Sequence, residues 1–424
     1  MKYPDNIVVT RFIKPWLFTI LFFSFFNTNV SAQNRNLDFY ITEGLANSPL
    51  IKDYQNQVTA NMIDSQRLRA TFRPQVTATS NNSIYPVING YGYDPVLTNL
   101  QSFTELVNVN QTFVGKRNLN MQYKGIQLQA DSIRNGQKLT EQDLKRTIVA
   151  QYLTAYGDQQ QLSFYAEVNT ILRNQEVILK RLTQNNIYRQ TDYLTFLVTM
   201  KQQDLQMKQL QIQYRSDYAT LNYLCGIFDT SSAALEQPDI TLQYPPETGN
   251  SAFFLRYKID SVRLENEVMQ LRYSYRPKLT AFANAGYSST LLYQAYKNFG
   301  VGAGINLNVP IYDGRQRVMQ ERKLHLLENT SQSYKNFFTR QHDQQIAMLR
   351  QQLAGTESLI GDINDQIKYA EGLINVNGKL LETGDTKIAD FVIAINNYLN
   401  AKNLLTQNYI SRLQVINQIN YWNR

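Results

Sequence analysis

The sequence repeats itself at half its length, and each copy contains about 70 consecutive residues without a proline, from Gly115 to Asn185 and from Gly314 to Thr383. Proline breaks a helix by removing a backbone donor and clashing with the preceding turn, so each stretch is free to form one continuous helix. At 1.5 Å per residue, about 70 helical residues reach on the order of 100 Å, far beyond the helices of globular domains. In the second stretch Ile346, Leu349, Leu353, Thr356, Ile360, Ile363, Ile367, Ala370 and Ile374 step by three and four, which is a heptad seam. Leu144, Ile148, Tyr152, Ala155 and Leu162 form a looser counterpart in the first.

Three landmarks recur in the same order in both copies. Arg73-Pro74 and Arg276-Pro277 each end a helical pattern and open a β-rich stretch, because proline forces the residue before it toward extended geometry. The run from Asn108 to Gly115-Lys116 matches the run from Asn306 through Pro310 to Gly314-Arg315, a strand end that passes into a helix start. Asn186 with Asp192, and Gly384 with Asp390, are the third pair; Asn and Gly tolerate positive φ and suit a sharp turn between helices. Before each long helix the period changes to two. Val301, Ala303, Ile305, Leu307, Val309 and Ile311 alternate with Gly302, Gly304, Asn306 and Asn308, and Phe103, Val107, Val109 and Phe113 do so less strictly, interrupted by Glu105 and Gln111. With the stretches near Gln75 to Ile88 and Lys278 to Leu291, the chain holds four candidate strands.

The organisation predicted is therefore a signal peptide over 1–32, a first repeat over 33–225, a linker over 226–251 and a second repeat over 252–424. The first repeat is a helix, a strand pair over about 75–114 and a long helical hairpin over 115–225. The second is a helix, a strand pair over about 278–312 and a hairpin over 314–422. Lys2, Arg11 and Lys14 precede an apolar run from Pro15 to Phe26, followed by Val30-Ser31-Ala32, the pattern of a secretory signal cleaved after Ala32. The linker, with Pro238, Pro245, Pro246 and Gly249, is expected to pack against the outside of the helices.

With a mean hydropathy of −0.40 and no later apolar stretch long enough for a spanning helix, any membrane span has to be built from strands. Cys225 is the only cysteine, which leaves no disulfide framework and no lipid-bearing N-terminal cysteine. The formal charge of +8 falls once the signal segment leaves, and the Lys and Arg residues are scattered among Asn and Gln, which gives no support for nucleic-acid binding. Four strands cannot close a barrel, and an unpaired strand edge in lipid costs several kcal/mol per backbone group, so the subunit has to oligomerise. Three copies would supply twelve strands, the smallest attractive answer.

The signal peptide, the duplicated modules, the Arg-Pro junctions, the Pro310 to Gly314 segment and the turn from Gly384 to Asp390 together resemble the TolC-like outer-membrane efflux proteins, over essentially the whole mature chain. The resemblance implies a mainly α protein with membrane β structure. Four strands per protomer would contribute to a shared trimeric 12-stranded barrel, continued by a helical tunnel across the periplasm. It also implies a location in the outer membrane, and docking to a periplasmic adaptor and an inner-membrane pump. The segments Asn186 to Asp192 and Gly384 to Asp390 become the adaptor-docking tips. Asn186 stands where the second copy has Gly384, and Arg189 and Lys387 stand where such proteins often carry a small hydroxyl residue, which leaves the tip chemistry open.

Several residues have a plainer reading as well. Asp192 and Asp390, in the first turn of a helix, stabilise it through the helix dipole by ~0.3 to 1 kcal/mol whether or not a partner touches them. Tyr85, Tyr287 and Tyr293 suit an aromatic girdle or ordinary packing. His325 and His342, the only histidines, are expected on exposed helix surface and lack metal-ligand spacing. No phosphate-binding loop occurs, so no cofactor and no enzymatic activity are expected, and energy for transport comes from another protein. Asn306, Asn308, Asn375 and Asn377 are candidate lumen-lining residues. Two other readings compete: a periplasmic adaptor, which would need only one hairpin, and a secreted coiled-coil protein, in which the apolar face of the strands would be wasted.

Overall fold

The computed structural model describes residues 36–229, 231–244, 251–290 and 295–424; the signal segment 1–32, the end of the linker and Tyr293 lie outside them. Helix α1 (Leu37–Asn47) starts at Asn36, whose side chain accepts from the Phe39 amide at 2.9 Å. Helix α2 (Pro49–Thr71) opens on a proline, where the missing donor costs nothing. Then come β1 (Gln75–Ile84), a short turn of helix α3 (Pro95–Thr98), β2 (Gln101–Phe113), α4 (Lys116–Gln184) and α5 (Gln190–Leu224). The second half runs α6 (Ala252–Ser274), β3 (Lys278–Ser289), β4 (Phe299–Asn308), α7 (Gln316–Thr383) and α8 (Ile388–Trp422). The two halves agree in length: 23 residues in α2 and α6, 69 and 68 in the long helices, and 35 in α5 and α8.

The mainly helical architecture with a small strand sheet is the fold class read from the periodicity. The four strands form one antiparallel sheet in the order β1-β2-β3-β4. The alternating pattern that runs to Ile311 outlasts the strand itself, since β4 stops at Asn308. Pro310 has no amide to donate and restricts Val309 before it, so the ladder cannot continue.

The helices pack around two apolar clusters. One, nearer the hairpin tips, joins Phe164, Val168, Leu172 and Leu179 of α4 and Phe196 of α5 to Ile363, Ile367 and Leu381 of α7 and Phe391, Ile395 and Leu399 of α8. The other gathers Ile148, Tyr152 and Leu153 of α4 with Tyr218 and Leu221 of α5, Ile410 and Leu413 of α8, and Tyr40 of α1. Each fully buried Leu or Ile contributes about 1.5–3 kcal/mol. The heptad seam of α7 faces α8, with Leu349, Ile363, Ile367 and Ala370 buried along it. Cys225 is buried, and that burial pushes its thiol up to about 12, an unreactive group.

The described part of the linker has no regular structure and is tied to the helices by its backbone. The Leu235 amide donates to Gln159 Oε1 at 2.6 Å and its carbonyl accepts from Gln159 Nε2 at 3.1 Å. Tyr152 donates to the Glu236 carbonyl at 2.7 Å and Tyr214 to that of Ala233 at 2.6 Å. Asn420 takes the Gln243 amide at 2.7 Å and returns a bond to the Thr241 carbonyl at 2.7 Å. Side-chain amides and tyrosines thus replace the sheet or helix bonds that this irregular segment lacks.

His342 departs from its expected place. Its side chain is only 12% exposed, Nε2 lies 3.1 Å from the Trp422 carbonyl, and the ring meets Phe254 and Trp422 edge-on at 5.2 and 5.9 Å. The aromatic residues that close the chain collect there, and a lone histidine on a polar helix gives no warning of a partner 80 residues away. His325 is exposed, beside Glu328 at 3.5 Å.

Candidate functional site: the two-faced sheet and the paired helical tips

Residues directly opposite in an antiparallel sheet share a face. The register pairs Val76 with Val109, Val109 with Ala283 and Ala283 with Ala303, and one step along it pairs Ala78, Val107, Ala285 and Val301. That face continues through Leu279 and Leu307 at one end and Phe299 and Phe103 at the other. The opposite face carries Thr77, Thr79, Asn108, Asn110, Thr280, Asn284, Asn306 and Asn308. The glycines of β4 lie on this polar face and make room for β3: a Cβ at Gly304 would come 2.7 Å from the Phe282 ring. Both outer strands keep one edge without a partner among the described residues.

The apolar face has a measurable height. From Phe103 to Phe113, strand β2 covers about 34 Å at 3.4 Å per residue, which a tilt of about 40° shortens to about 26 Å, close to the ~25 Å apolar band of an outer-membrane barrel. The charge on this face, Glu105, lies two residues inside Phe103 and accepts from Ser80 Oγ at 2.7 Å and Asn82 Nδ2 at 2.8 Å. Tyr287 stands directly opposite it on β3.

The junction residues differ in how they turn the chain. Arg73 closes α2, its amide donating to the Ala70 carbonyl at 3.0 Å, and Pro74 then releases the chain into β1. Arg276 does the same after α6, its amide on the Tyr273 carbonyl at 3.2 Å and its guanidinium 4.3 Å above the Tyr273 ring. Gly115 precedes α4 in ordinary extended geometry, φ −61°, whereas Gly314 and Arg315 are both left-handed, at φ +65° and +66°. Asp313 offsets that strain: its Oδ2 accepts the Arg317 amide at 2.8 Å, and this bond holds the carboxyl below its ordinary range.

At the far end of the helices the two hairpin turns of one chain lie side by side. Asn186, φ +59°, and Gly384, φ +82°, are the left-handed residues of the two turns. A Cβ at Gly384 would meet Ile187 Cγ2 at 2.9 Å, so the first turn presses directly on the second. Arg189 and Lys387 are the N-caps of α5 and α8, with extended backbone and no side-chain cap bond, and Asp192 and Asp390 lie in the first turns. Tyr188, inside the first candidate segment but without a sequence signal of its own, joins the tips: its hydroxyl donates to the Leu381 carbonyl at 3.1 Å and the Thr386 carbonyl at 2.9 Å. Burial, and then the Asp385 carboxylate, raise the pKa of that hydroxyl. Asn377 takes part in the second turn, accepting from Thr386 at 3.3 Å, while Asn375 is exposed. Asn306 and Asn308 lie at the other end of the molecule, on the polar face of the sheet.

Among the described residues no helix is long and apolar enough to cross a membrane, and no group of acidic, histidine and cysteine side chains has metal-site geometry. No known family profile matches the sequence, and no curated protein is similar to it. Solved structures do match. The outer membrane protein VceC of Vibrio cholerae superposes with a TM-score of 0.73 at 13% identity, over 91% of this chain and 96% of that one. The Campylobacter jejuni CmeC outer membrane channel gives 0.72 at 10% identity, over 91% and 85%. The open state of the Neisseria gonorrhoeae MtrE outer membrane channel gives 0.68 at 12% identity, over 92% and 89%. The chain has the fold of these channels, the TolC-like arrangement that its duplicated modules resemble.

Proposed function

We propose that this protein is an outer-membrane channel subunit, a passive exit duct for a tripartite efflux or secretion system, with its helices extending through the periplasm. The observation that carries the reading is the four-stranded sheet, apolar on one face and polar on the other and open at both edges, running directly into helices of 69 and 68 residues. Open edges are untenable in lipid unless other chains pair with them, and three copies joined β1 to β4 make a closed twelve-stranded barrel. The apolar face meets outer-membrane lipid, and the polar face, with Asn306 and Asn308, lines the lumen. Near the tips Asn375 and Asn377 continue the lining.

On this reading the tips, through Asn186, Arg189, Asp192, Gly384, Lys387 and Asp390, dock the periplasmic adaptor, and an inner-membrane pump supplies the energy. The duct performs no catalysis and needs no cofactor. Opening the tips requires a partner that binds the open state more tightly than the closed one, because a ligand shifts an equilibrium only by its unequal affinity. The similarity in fold to VceC, CmeC and MtrE supports the channel role.

The test is the native mass of the protein extracted in detergent from the outer-membrane fraction. About three protomers is the expected result. A monomer, or recovery in the soluble periplasm alone, overturns it.

A further inference from the structure

The two ends of the sheet differ sharply in charge. At the end away from the helices, the connection between β1 and β2 contains one charged residue, Asp94, and that between β3 and β4 contains one, Lys297. At the helical end every strand is flanked by cations: Arg73 before β1, Lys116 and Arg117 after β2, Arg276 and Lys278 at the start of β3, and Arg315 and Arg317 after β4. The acid among them, Asp313, is already engaged by the Arg317 amide.

Part of this collar surrounds a cavity of about 970 Å³ between the end of β2, the C-terminal turns of α6 and the first turns of α4 and α7. Arg117, Arg276, Lys278 and Lys323 line it, and among the described residues none of the four is ion-paired with a carboxylate. The carboxylate in the lining, Glu267, is held by Arg263 at 3.0 Å. The rest of the wall includes Phe72, Phe113 and Leu324. The cavity sits at the end of the sheet, with Thr112 and Lys278 from its polar face, and it reaches the apolar face through Phe113. Unpaired cations beside an apolar wall, at one edge of a band about 25 Å tall, fit a molecule with a phosphate head and a hydrocarbon tail.

We propose that the collar and its cavity bind the headgroup of an anionic phospholipid, with Arg117, Arg276 and Lys323 on the phosphate and the acyl chain running over Phe113, while Lys278, opposite Asn308, belongs to the polar face. This rests on the membrane-strand reading, so the experiment separates the two. The full-length protein is fractionated, extracted in mild detergent and loaded into nanodiscs containing phosphatidylglycerol or phosphatidylcholine, and retained lipid is counted by native mass spectrometry. The expected result is retention of phosphatidylglycerol over phosphatidylcholine by about tenfold, reduced several-fold in a variant carrying Arg117→Gln, Arg276→Gln and Lys323→Gln at unchanged native mass. Should that variant not assemble, the single Lys323→Gln change on exposed helix surface is expected to reduce retention by a measurable fraction. Equal retention of both lipids, no change in either variant, or displacement by millimolar inorganic phosphate overturns the lipid site while leaving the barrel intact. Absence from the membrane fraction, seen before any lipid is added, overturns the barrel reading and the lipid site together.

Discussion

The two long helices have nearly the same length and opposite surroundings. Helix α4 buries 15 residues and α7 only six, while for the shorter partners the order reverses, with four in α5 and 14 in α8. From Gln316 to Met348, α7 has no fully buried residue, though His342 is nearly so, and Leu326, Tyr334 and Phe337 stand exposed along it. Duplication thus produced two copies of one module but not two equal environments: α4 and α8 form the centre of the protomer, and α5 and α7 its flanks. An exposed apolar stripe on a flank is what a neighbouring protomer would cover.

The largest effect expected from this difference is in the core. Leu153→Ala, in the buried part of α4, should cost about 2–5 kcal/mol in chemical denaturation, whereas Phe337→Ala on α7 should leave protomer stability within about 0.5 kcal/mol and reduce the native mass toward the monomer. Equal losses of stability at the two sites would break the distinction between centre and flank. In the sheet, Val301→Arg lies at mid-height of the apolar face and should cost about 2–4 kcal/mol of folding into lipid vesicles, against about 1 or less for Asn306→Arg on the polar face.

Smaller effects sharpen the comparison at the tips and along the helices. Tyr188→Phe removes the donor shared by the Leu381 and Thr386 carbonyls and should lower protection from hydrogen exchange in both turns by about 0.5–1.5 kcal/mol, with the core unaffected. Asp158, half-buried on α4 beside Asp217, is pushed up to about 7, first by burial and then by its neighbour. A folded pKa above the unfolded one means that stability falls as pH rises from about 4 to about 7 and is level beyond. Solvent screening keeps the effect modest. Asp158→Asn should flatten that slope in denaturation curves, and Glu357→Gln, at about the same height on α7 and paired with Arg412 at 2.9 Å on the surface, should not.

Much of this was legible because it is local or periodic. Helix length follows from absent proline, the α7 seam from a 3.5-residue period, the junctions from Arg73-Pro74 and Arg276-Pro277, and the tip turns from Asn186 and Gly384. The alternation on β4 was equally clear, apart from its last residues, where Pro310 stops the ladder. Tyr188 and His342 gave no such signal, since their partners lie 193 and 80 residues away along the chain. The linker was expected against the helices, but the bonds that hold it there gave no signal, because they are made by its backbone, which every residue possesses, to side chains of α4, α5 and α8.

The amino-acid sequence by itself determined the kind of each element, its length and the two faces of the sheet, because these depend on neighbours within a few residues. Only the tertiary structure decided which copy of the module lies at the centre, how the tips are joined and where cations of α4, the α6–β3 junction and α7 converge. Those outcomes depend on how elements pack across the chain, and near-equal modules become unequal as soon as one of them takes the inside.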